Sequence, residues 1–219
     1  MISKKMKVLV NNNSTIREMF EEGGKLKAKY GEEKVFDFSI GNPNVPAPKE
    51  VSAAILKILA SEESVKVHGY MNNAGFEGVR ETIAKEINKR FGTDFGYRNI
   101  IMTLGAALGL NIMLKSMLNP KDEVIVFAPY FMEYANYVRN YDGKLIVIAP
   151  DVDTFMPNLL EFEKRITEKT KAVIINNPNN PTGLVYSEEI IKKLTCIMKE
   201  KEKELGNVIY LISDEPYRE

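Results

Sequence analysis

The stretch KAVIINNPNNPTG, residues 171–183, decides the fold class of this chain. It begins with an apolar run rich in β-branched residues, Ala172 to Ile175, which is typical of a strand buried on both faces of a parallel sheet. The cluster of Asn and Pro residues that follows ends the strand, and Gly183 closes the turn. This stretch therefore predicts a buried parallel strand whose carboxyl end leads into a tight loop.

The end of the sequence, VIYLISDEPYRE at residues 208–219, repeats this pattern. A second apolar run, Val208 to Ile212, stops at Ser213 and Asp214. Ligands of open α/β sheets bind outside the carboxyl ends of the strands. Asp214 is therefore a candidate binding residue.

Strand and helix patterns alternate along much of the sequence. Further strands are predicted at residues 35–40, 99–103, 123–128 and 144–148, and helices at residues 14–30, 50–59, 76–91, 104–118, 159–166 and 187–205. This order predicts an α/β fold, a mostly parallel sheet with helices on both faces. We place a border near Pro43 to Pro48, between an N-terminal arm with a small-domain segment, residues 1–47, and a larger domain, residues 48–219.

Composition excludes several classes of function. Thirty basic and thirty acidic residues give a formal net charge of zero, without the basic excess expected for binding to nucleic acid. The single cysteine, Cys196, excludes an internal disulfide, indicates a reducing compartment and is predicted to be buried in a helix. The single histidine, His68, cannot form a metal cluster.

No apolar run approaches the roughly 20 residues of a membrane span, and the apolar part of the opening MISKKMKVLV is too short for a signal peptide. We expect a cytoplasmic protein with no membrane partner.

The motif Asn180-Pro181-Thr182-Gly183, followed by Asp214-x-x-Tyr217, resembles the fold-type I pyridoxal-phosphate aminotransferases, the class I/II, aspartate-aminotransferase-like group. The resemblance covers most of the chain. It implies an incomplete large pyridoxal-phosphate-binding domain, pyridoxal 5'-phosphate as cofactor and a homodimer. It also implies transfer of an amino group between an amino acid, aspartate by default, and a 2-oxo acid.

The resemblance further implies which residues contact the cofactor ring. Asp214 would lie beside the pyridine nitrogen, where a carboxylate favours the protonated form by Coulomb attraction. Asn180 and Tyr217 would contact the ring's 3-oxygen, and Asn180 would also contact the substrate. Phe131 would stack on the ring, and Tyr134 would line the same site. Cis bonds are expected before two prolines, Pro129 and Pro181.

The cofactor phosphate is assigned to the turn that opens the predicted helix at residues 104–118. Small residues and free helical N–H groups let an anion approach, and the resemblance implies contacts through Gly105, Ala106 and Ala107. Tyr70 would reach the phosphate bound by the neighbouring subunit. The backbone near Gly41 would lie against the substrate carboxylate.

No catalytic residue is assigned in this chain. The family's Schiff-base lysine lies a few tens of residues beyond the D-x-x-Y motif. In the family's sheet, two strands that come later in the sequence lie between the strand predicted at residues 99–103 and the strand that ends at Asp214. Neither of these two strands is predicted within the 219 residues. We therefore expect these 219 residues to be about half of a longer enzyme, its N-terminal part, and to be inactive alone.

Two alternatives remain open, and a third is disfavoured. A pyridoxal-phosphate-dependent lyase or decarboxylase of the same fold would have the same cofactor site. A non-catalytic module derived from the fold is the second alternative. The third, an unrelated nucleotide-binding α/β protein, is disfavoured because the sequence lacks a glycine-rich nucleotide fingerprint.

Overall fold

The computed structural model describes residues 2–11, 15–38, 41, 45–61 and 63–218. The chain divides into two compact units, Met1–Tyr70 and Met71–Glu219. The border predicted between residues 47 and 48 falls inside the first unit and stays a prediction.

All the regular elements described in the first unit are helical. Its elements are α1 (Lys4–Asn11), α2 (Thr15–Tyr30), a 3₁₀ turn (Glu32–Lys34), α3 (Lys49–Leu59) and α4 (Ser64–His68). The strand predicted at residues 35–40 is wrong in its described part, because residues 35–38 pair with no other strand. The alternating pattern there has no neighbouring ladder to join among the described residues. Ser39 and Ile40 lie outside the described residues.

The second unit alternates helices and strands. Its elements are α5 (Glu77–Phe91), a 3₁₀ turn (Tyr97–Asn99), α6 (Gly105–Met117), β1 (Glu123–Phe127), α7 (Glu133–Asn140), β2 (Lys144–Ile148), α8 (Leu159–Arg165), β3 (Thr170–Asn176), α9 (Glu188–Leu205) and β4 (Tyr210–Asp214). The four strands pair in the order β2-β1-β3-β4, and every pair is parallel. The predicted α/β class is confirmed.

Helices cover both faces of this sheet, as predicted. On one face, Ile125 and Val173 pack with Phe162 of α8 and Leu194 of α9. On the other face, alternate strand residues such as Val124, Val126 and Ile174 pack with α6 and α7. The period of two along each strand divides the apolar residues between two cores, which explains why the strands are apolar throughout.

Two further expectations are wrong. The strand predicted at residues 99–103 is absent: Asn99 ends a 3₁₀ turn, and the following residues join no ladder. Met102 N instead donates to Ala74 O, and no described strand lies alongside, so the backbone groups have no parallel partner. Cys196 is exposed, because it lies on the side of α9 opposite the buried Leu194 and Met198.

Among the residues that the structure describes, no helix is both long enough and apolar enough to cross a membrane.

Candidate functional site

The order of the strands opens a crevice at the carboxyl end of β1 and β3. The chain passes from β1 to β2 on one side, and β3 then pairs with β1 on its other side. Helix α7 follows β1 and α9 follows β3, and these helices pack on opposite faces of the sheet. The loops after β1 and β3 therefore diverge, as at the ligand-binding switch point of open α/β sheets.

A cavity of about 230 Å³ lies at this edge of the sheet. Six of the predicted cofactor-binding residues line it: Ala106, Ala107, Phe131, Asn180, Asp214 and Tyr217. The remaining lining residues are Leu110, Tyr137, Asn176 and Pro216. Gly105 directly precedes Ala106 in the chain. The structure thus brings together side chains that are up to 111 positions apart in the sequence, Ala106 to Tyr217.

Two further predicted site residues, Gly41 and Tyr70, belong to the first unit. Both are exposed. Their assigned contacts stay predictions.

Asp214, the last residue of β4, presents a carboxylate to the cavity. Its Oδ2 accepts a hydrogen bond of 2.5 Å from the hydroxyl of Tyr134. Burial and then this hydrogen bond raise the pKa of Tyr134 well above its ordinary value, so this hydroxyl remains a neutral donor. Within the described part of the chain, no cationic side chain forms an ion pair with Asp214. The carboxylate is therefore free to attract a cationic group of a ligand.

Asn180 and Tyr217 form a polar pair beside this carboxylate. Nδ2 of Asn180 donates to the hydroxyl of Tyr217 over 3.0 Å. Asn180 lies in the loop after β3, and Tyr217 follows β4, so adjacent parallel strands bring the two side chains together. The pair offers an amide N–H and a phenolic O–H to an oxygen atom of a ligand.

Phe131 contributes a flat apolar surface. It lies in the loop between β1 and α7, and its ring contacts that of Tyr134 edge to face, with centroids 5.6 Å apart. Tyr134 is buried behind it. This packing fixes the Phe131 ring at the cavity wall.

The amino end of α6 forms the fourth part of the cavity. Gly105 has a φ of +81°, a conformation that favours glycine, and it turns the chain into the helix. The N-cap residue, Leu104, provides no side-chain hydrogen bond to the first helical N–H groups. These groups and the helix dipole attract an anion.

The peptide bonds before Pro129 and Pro181 are cis, as predicted, and the bond before Pro178 is also cis.

Sequence reasoning missed three polar residues at this site, Asn176, Asn179 and Tyr137. Asn176 is a polar residue at the end of an otherwise apolar buried strand, which was an available signal. Tyr137 lies on α7, whose eight residues are too few for a clear helical period. The described residues hold no group of three or more His, Cys, Asp or Glu side chains that could bind a metal ion.

The family described as "Aminotransferase class I and II" matches residues 33–219. Aspartate aminotransferase of Pyrococcus horikoshii is 32% identical over 212 residues, which are 96% of this chain and 50% of that protein. Aspartate aminotransferase of Thermotoga maritima is 36% identical over 205 residues, 92% of this chain and 52% of that protein.

Solved structures of aminotransferases are also similar to this chain. An aminotransferase from Eubacterium rectale has a TM-score of 0.94 and 42% identity, over 100% of this chain and 55% of that one. Aspartate aminotransferase from Thermus thermophilus with maleate has a TM-score of 0.83 and 27% identity, over 99% of this chain and 53% of that one. The chain spans about half the length of the curated relatives that it matches.

Proposed function

Because the chain belongs to the class I and II aminotransferase family, we propose that its second unit holds pyridoxal 5'-phosphate and that the whole protein transfers an amino group between an amino acid and a 2-oxo acid. The observation that carries the proposal is the carboxylate of Asp214, which lines the cavity without a cationic partner among the described residues.

The donor set of the cavity fits the cofactor. Pyridoxal phosphate combines a basic ring nitrogen, a ring oxygen, a flat aromatic face and a phosphate. The cavity offers in turn the carboxylate of Asp214, the paired donors of Asn180 and Tyr217, the ring of Phe131 and the amino end of α6. When bound, this cofactor supplies an electron sink for the electrons released at the α-carbon of an amino acid.

In this proposal, Asp214 holds a proton on the ring nitrogen. A carboxylate favours the protonated nitrogen because the two opposite charges attract in a partly desolvated site. Tyr134 keeps Oδ2 of Asp214 engaged as a neutral hydrogen-bond donor. A cation in this position would instead compete with the ring nitrogen for the carboxylate.

Asn180 and Tyr217 donate to the ring oxygen, and Asn180 also contacts the substrate. Phe131 stacks on the ring, and its apolar face excludes water from one side of it. Together these contacts would hold the ring in one orientation.

Gly105, Ala106 and Ala107 bind the phosphate through the first helical N–H groups of α6. We further propose a homodimer in which the partner's Tyr70 contacts the same phosphate. The backbone at Gly41 contacts the substrate carboxylate.

The proposed amino acid is aspartate or one like it. The relatives from Pyrococcus horikoshii and Thermotoga maritima are aspartate aminotransferases, and the Thermus thermophilus enzyme was solved with maleate, a dicarboxylate. These names favour transamination over the lyase or decarboxylase alternative. We also propose a cytoplasmic location, and residues 48–219 as the cofactor-binding domain.

Equilibrium dialysis of the purified chain against pyridoxal phosphate tests the cofactor site. We expect saturable binding, and Asp214→Asn should weaken it at least tenfold, or about 1.4 kcal/mol. Asp94→Asn, which changes an exposed aspartate outside the cavity, is the matched control and should bind as the wild type does. An equal affinity for wild type and Asp214→Asn would contradict the assigned role.

Borohydride reduction followed by intact mass measurement tests whether any lysine of the 219 residues bonds covalently to the cofactor. We expect no stable gain in mass, since no lysine of this chain is assigned that role. A gain of one cofactor mass would contradict that expectation.

A further inference from the structure

Two buried asparagines, Asn176 and Asn179, connect the loops that carry the cavity side chains. Asn176 is the last residue of β3 and is 4% exposed, and Asn179 lies three residues further on and is 8% exposed. Buried amides of this kind must find hydrogen-bond partners for both their oxygen and their nitrogen.

Asn176 joins the loop after β3 to the end of β4. Its Nδ2 donates to the main-chain oxygen of Asp214 over 2.9 Å, and its Oδ1 accepts from the main-chain nitrogen of Asn180 over 2.6 Å. One side chain therefore fixes the backbone of two residues whose own side chains line the cavity.

Asn179 joins the same loop to the loop after β1. Its Nδ2 donates to the main-chain oxygen of Pro129 over 3.3 Å, two residues before Phe131. Its Oδ1 accepts from the main-chain nitrogen and the hydroxyl of Thr182, over 3.2 and 2.8 Å. The side-chain nitrogen of Asn179 thus bonds to the loop after β1, and its oxygen bonds within the loop after β3.

The Asn176 bond to Asp214 reinforces the last register pair of β3 with β4, where Asn177 N also donates to Asp214 O over 3.3 Å. The bond of Asn179 to Pro129 lies beyond the end of the strand ladder. The pairing of β1 with β3 ends at Val126 and Ile174, so the ladder does not extend to Pro129 or Asn180. The side-chain amide of Asn179, which has a donor and an acceptor side by side, bonds to both loops at this point.

We propose that Asn176 and Asn179 are positioning residues, which set the affinity of the cavity for the pyridine ring by fixing Asp214, Asn180 and Phe131 relative to one another. The inference rests on the proposed function, because the ring is the ligand that these three residues would share. Asn176 aligns the carboxylate with the ring nitrogen. Asn179 aligns the stacking ring of Phe131.

Substitution by aspartate tests the donor of each side-chain amide separately from its acceptor. Asn176→Asp and Asn179→Asp keep the shape and the accepting oxygen, but they lose the donor to Asp214 or to Pro129. Asn177→Asp is the matched control, because the side-chain bond of Asn177 uses its oxygen, which accepts from Tyr186 N over 2.8 Å.

Two probes in equilibrium dialysis distinguish the two roles: pyridoxal phosphate and its 1-deaza analogue, in which carbon replaces the ring nitrogen. Asn176→Asp should weaken binding of pyridoxal phosphate at least tenfold, and the analogue by less than threefold, because only the first probe contacts Asp214 through nitrogen. Asn179→Asp should weaken both probes about equally, by at least fivefold. Asn177→Asp should stay within twofold of wild type for both.

Hydrogen exchange gives a second readout without cofactor. Asn179→Asp should speed exchange in residues 130–134, and Asn176→Asp in residues 215–218, although neither substitution lies in the affected segment. Thr182→Val, which removes the in-loop hydroxyl contact and retains the Nδ2 bond, should leave residues 130–134 unchanged. If an aspartate variant does not fold, the corresponding alanine variant removes the same donor without adding a charge.

Wild-type affinity and exchange in both aspartate variants would overturn the inference and leave the proposed function intact. Equal weakening of both probes by Asn176→Asp would also overturn its assigned role, because a merely loosened fold has that effect. If the wild-type chain binds neither probe, the proposed function fails, and the inference fails with it.

Discussion

The hydroxyl of Tyr134 lies 2.5 Å from Oδ2 of Asp214 and donates a hydrogen bond to it. The tyrosine is 1% exposed, on the face of the sheet covered by α6 and α7. A neutral donor orients the carboxylate without neutralising its charge. This relationship explains how Asp214 can be fixed in place and still attract a cation.

Replacing Tyr134 by phenylalanine should weaken the binding of pyridoxal phosphate. The change leaves Oδ2 of Asp214 without its donor, and hydrogen bonds to charged groups contribute about 1.5–3 kcal/mol. We therefore expect a Kd at least tenfold higher, or about 1.4 kcal/mol, measured by equilibrium dialysis.

Tyr186→Phe is the matched control for this prediction. Tyr186 is also buried, but it packs with Phe127 in the core on the other face of the sheet. Loss of its hydroxyl should leave cofactor binding within twofold of wild type. Equal losses in both variants would mean that the Tyr134 bond has no specific role at the cavity.

Alkaline pH should destabilise the fold through Tyr186. Burial raises the pKa of this tyrosine from 10.0 to about 12, so the folded state binds its proton more tightly than the unfolded state does. This contribution to stability is complete below pH 10 and is lost as the pH rises towards 12, at a total of roughly 2 kcal/mol.

Urea unfolding of wild type and Tyr186→Phe at pH 8, 10 and 11.5 measures this effect. The variant should lose less stability than wild type between pH 10 and 11.5. Parallel loss in both proteins would assign the alkaline sensitivity to other groups, of which Tyr134 is one candidate, because its pKa is also raised by burial and by Asp214.

The sequence predicted correctly those features that depend on a local pattern, such as an apolar run that forms a buried strand. The apolar runs around Val173 and Leu211 predicted parallel strands, and the place of Asp214 at a strand end predicted a binding residue. The resemblance implied that Asn180 and Tyr217 share its site, and all three residues line one cavity. The carboxyl ends of adjacent parallel strands lie at the same edge of a sheet, so the pairing of β3 with β4 brings Asn180, Asp214 and Tyr217 close together.

The errors arise where structure depends on a partner distant in sequence. Residues 99–103 have a strand-like pattern, but a strand forms only beside another strand, and none lies alongside among the described residues. Asn176 and Asn179 appeared to be ordinary turn residues, because their bonds reach to Asp214 and Pro129, which are 38 and 50 positions away.

Gly105→Ala should destabilise the second unit, because a φ of +81° is strained for any residue with a Cβ atom. We expect the free energy of unfolding, measured with urea, to fall by about 1–2 kcal/mol, and the affinity for pyridoxal phosphate to weaken. Gly78→Ala is the opposite case: Gly78 lies in α5 with open space around it, so alanine should stabilise by about 0.5 kcal/mol. If Gly105→Ala leaves the free energy of unfolding unchanged, the turn at residue 105 can adjust to a Cβ atom without strain.

The amino edge of the sheet holds a cross-strand ion pair between Glu123 and Lys144, the first residues of β1 and β2. Oε1 of Glu123 lies 3.2 Å from Nζ of Lys144, and Oε2 accepts from the hydroxyl of Thr167 over 2.7 Å. The glutamate side chain is 10% exposed and the lysine side chain 66%, so the two partners are not equivalent.

Removing the lysine should therefore cost more stability than removing the acid. Lys144→Met leaves a buried carboxylate with only the Thr167 hydroxyl, at a cost of about 2 kcal/mol, whereas Glu123→Gln leaves an exposed lysine that water solvates, at about 1 kcal/mol. The double variant should lose less than the sum of the two, because no unpaired charge remains buried. Urea unfolding of the four proteins measures the difference, and a larger loss for Glu123→Gln would mean that the pair contributes by attraction rather than by compensating a buried charge.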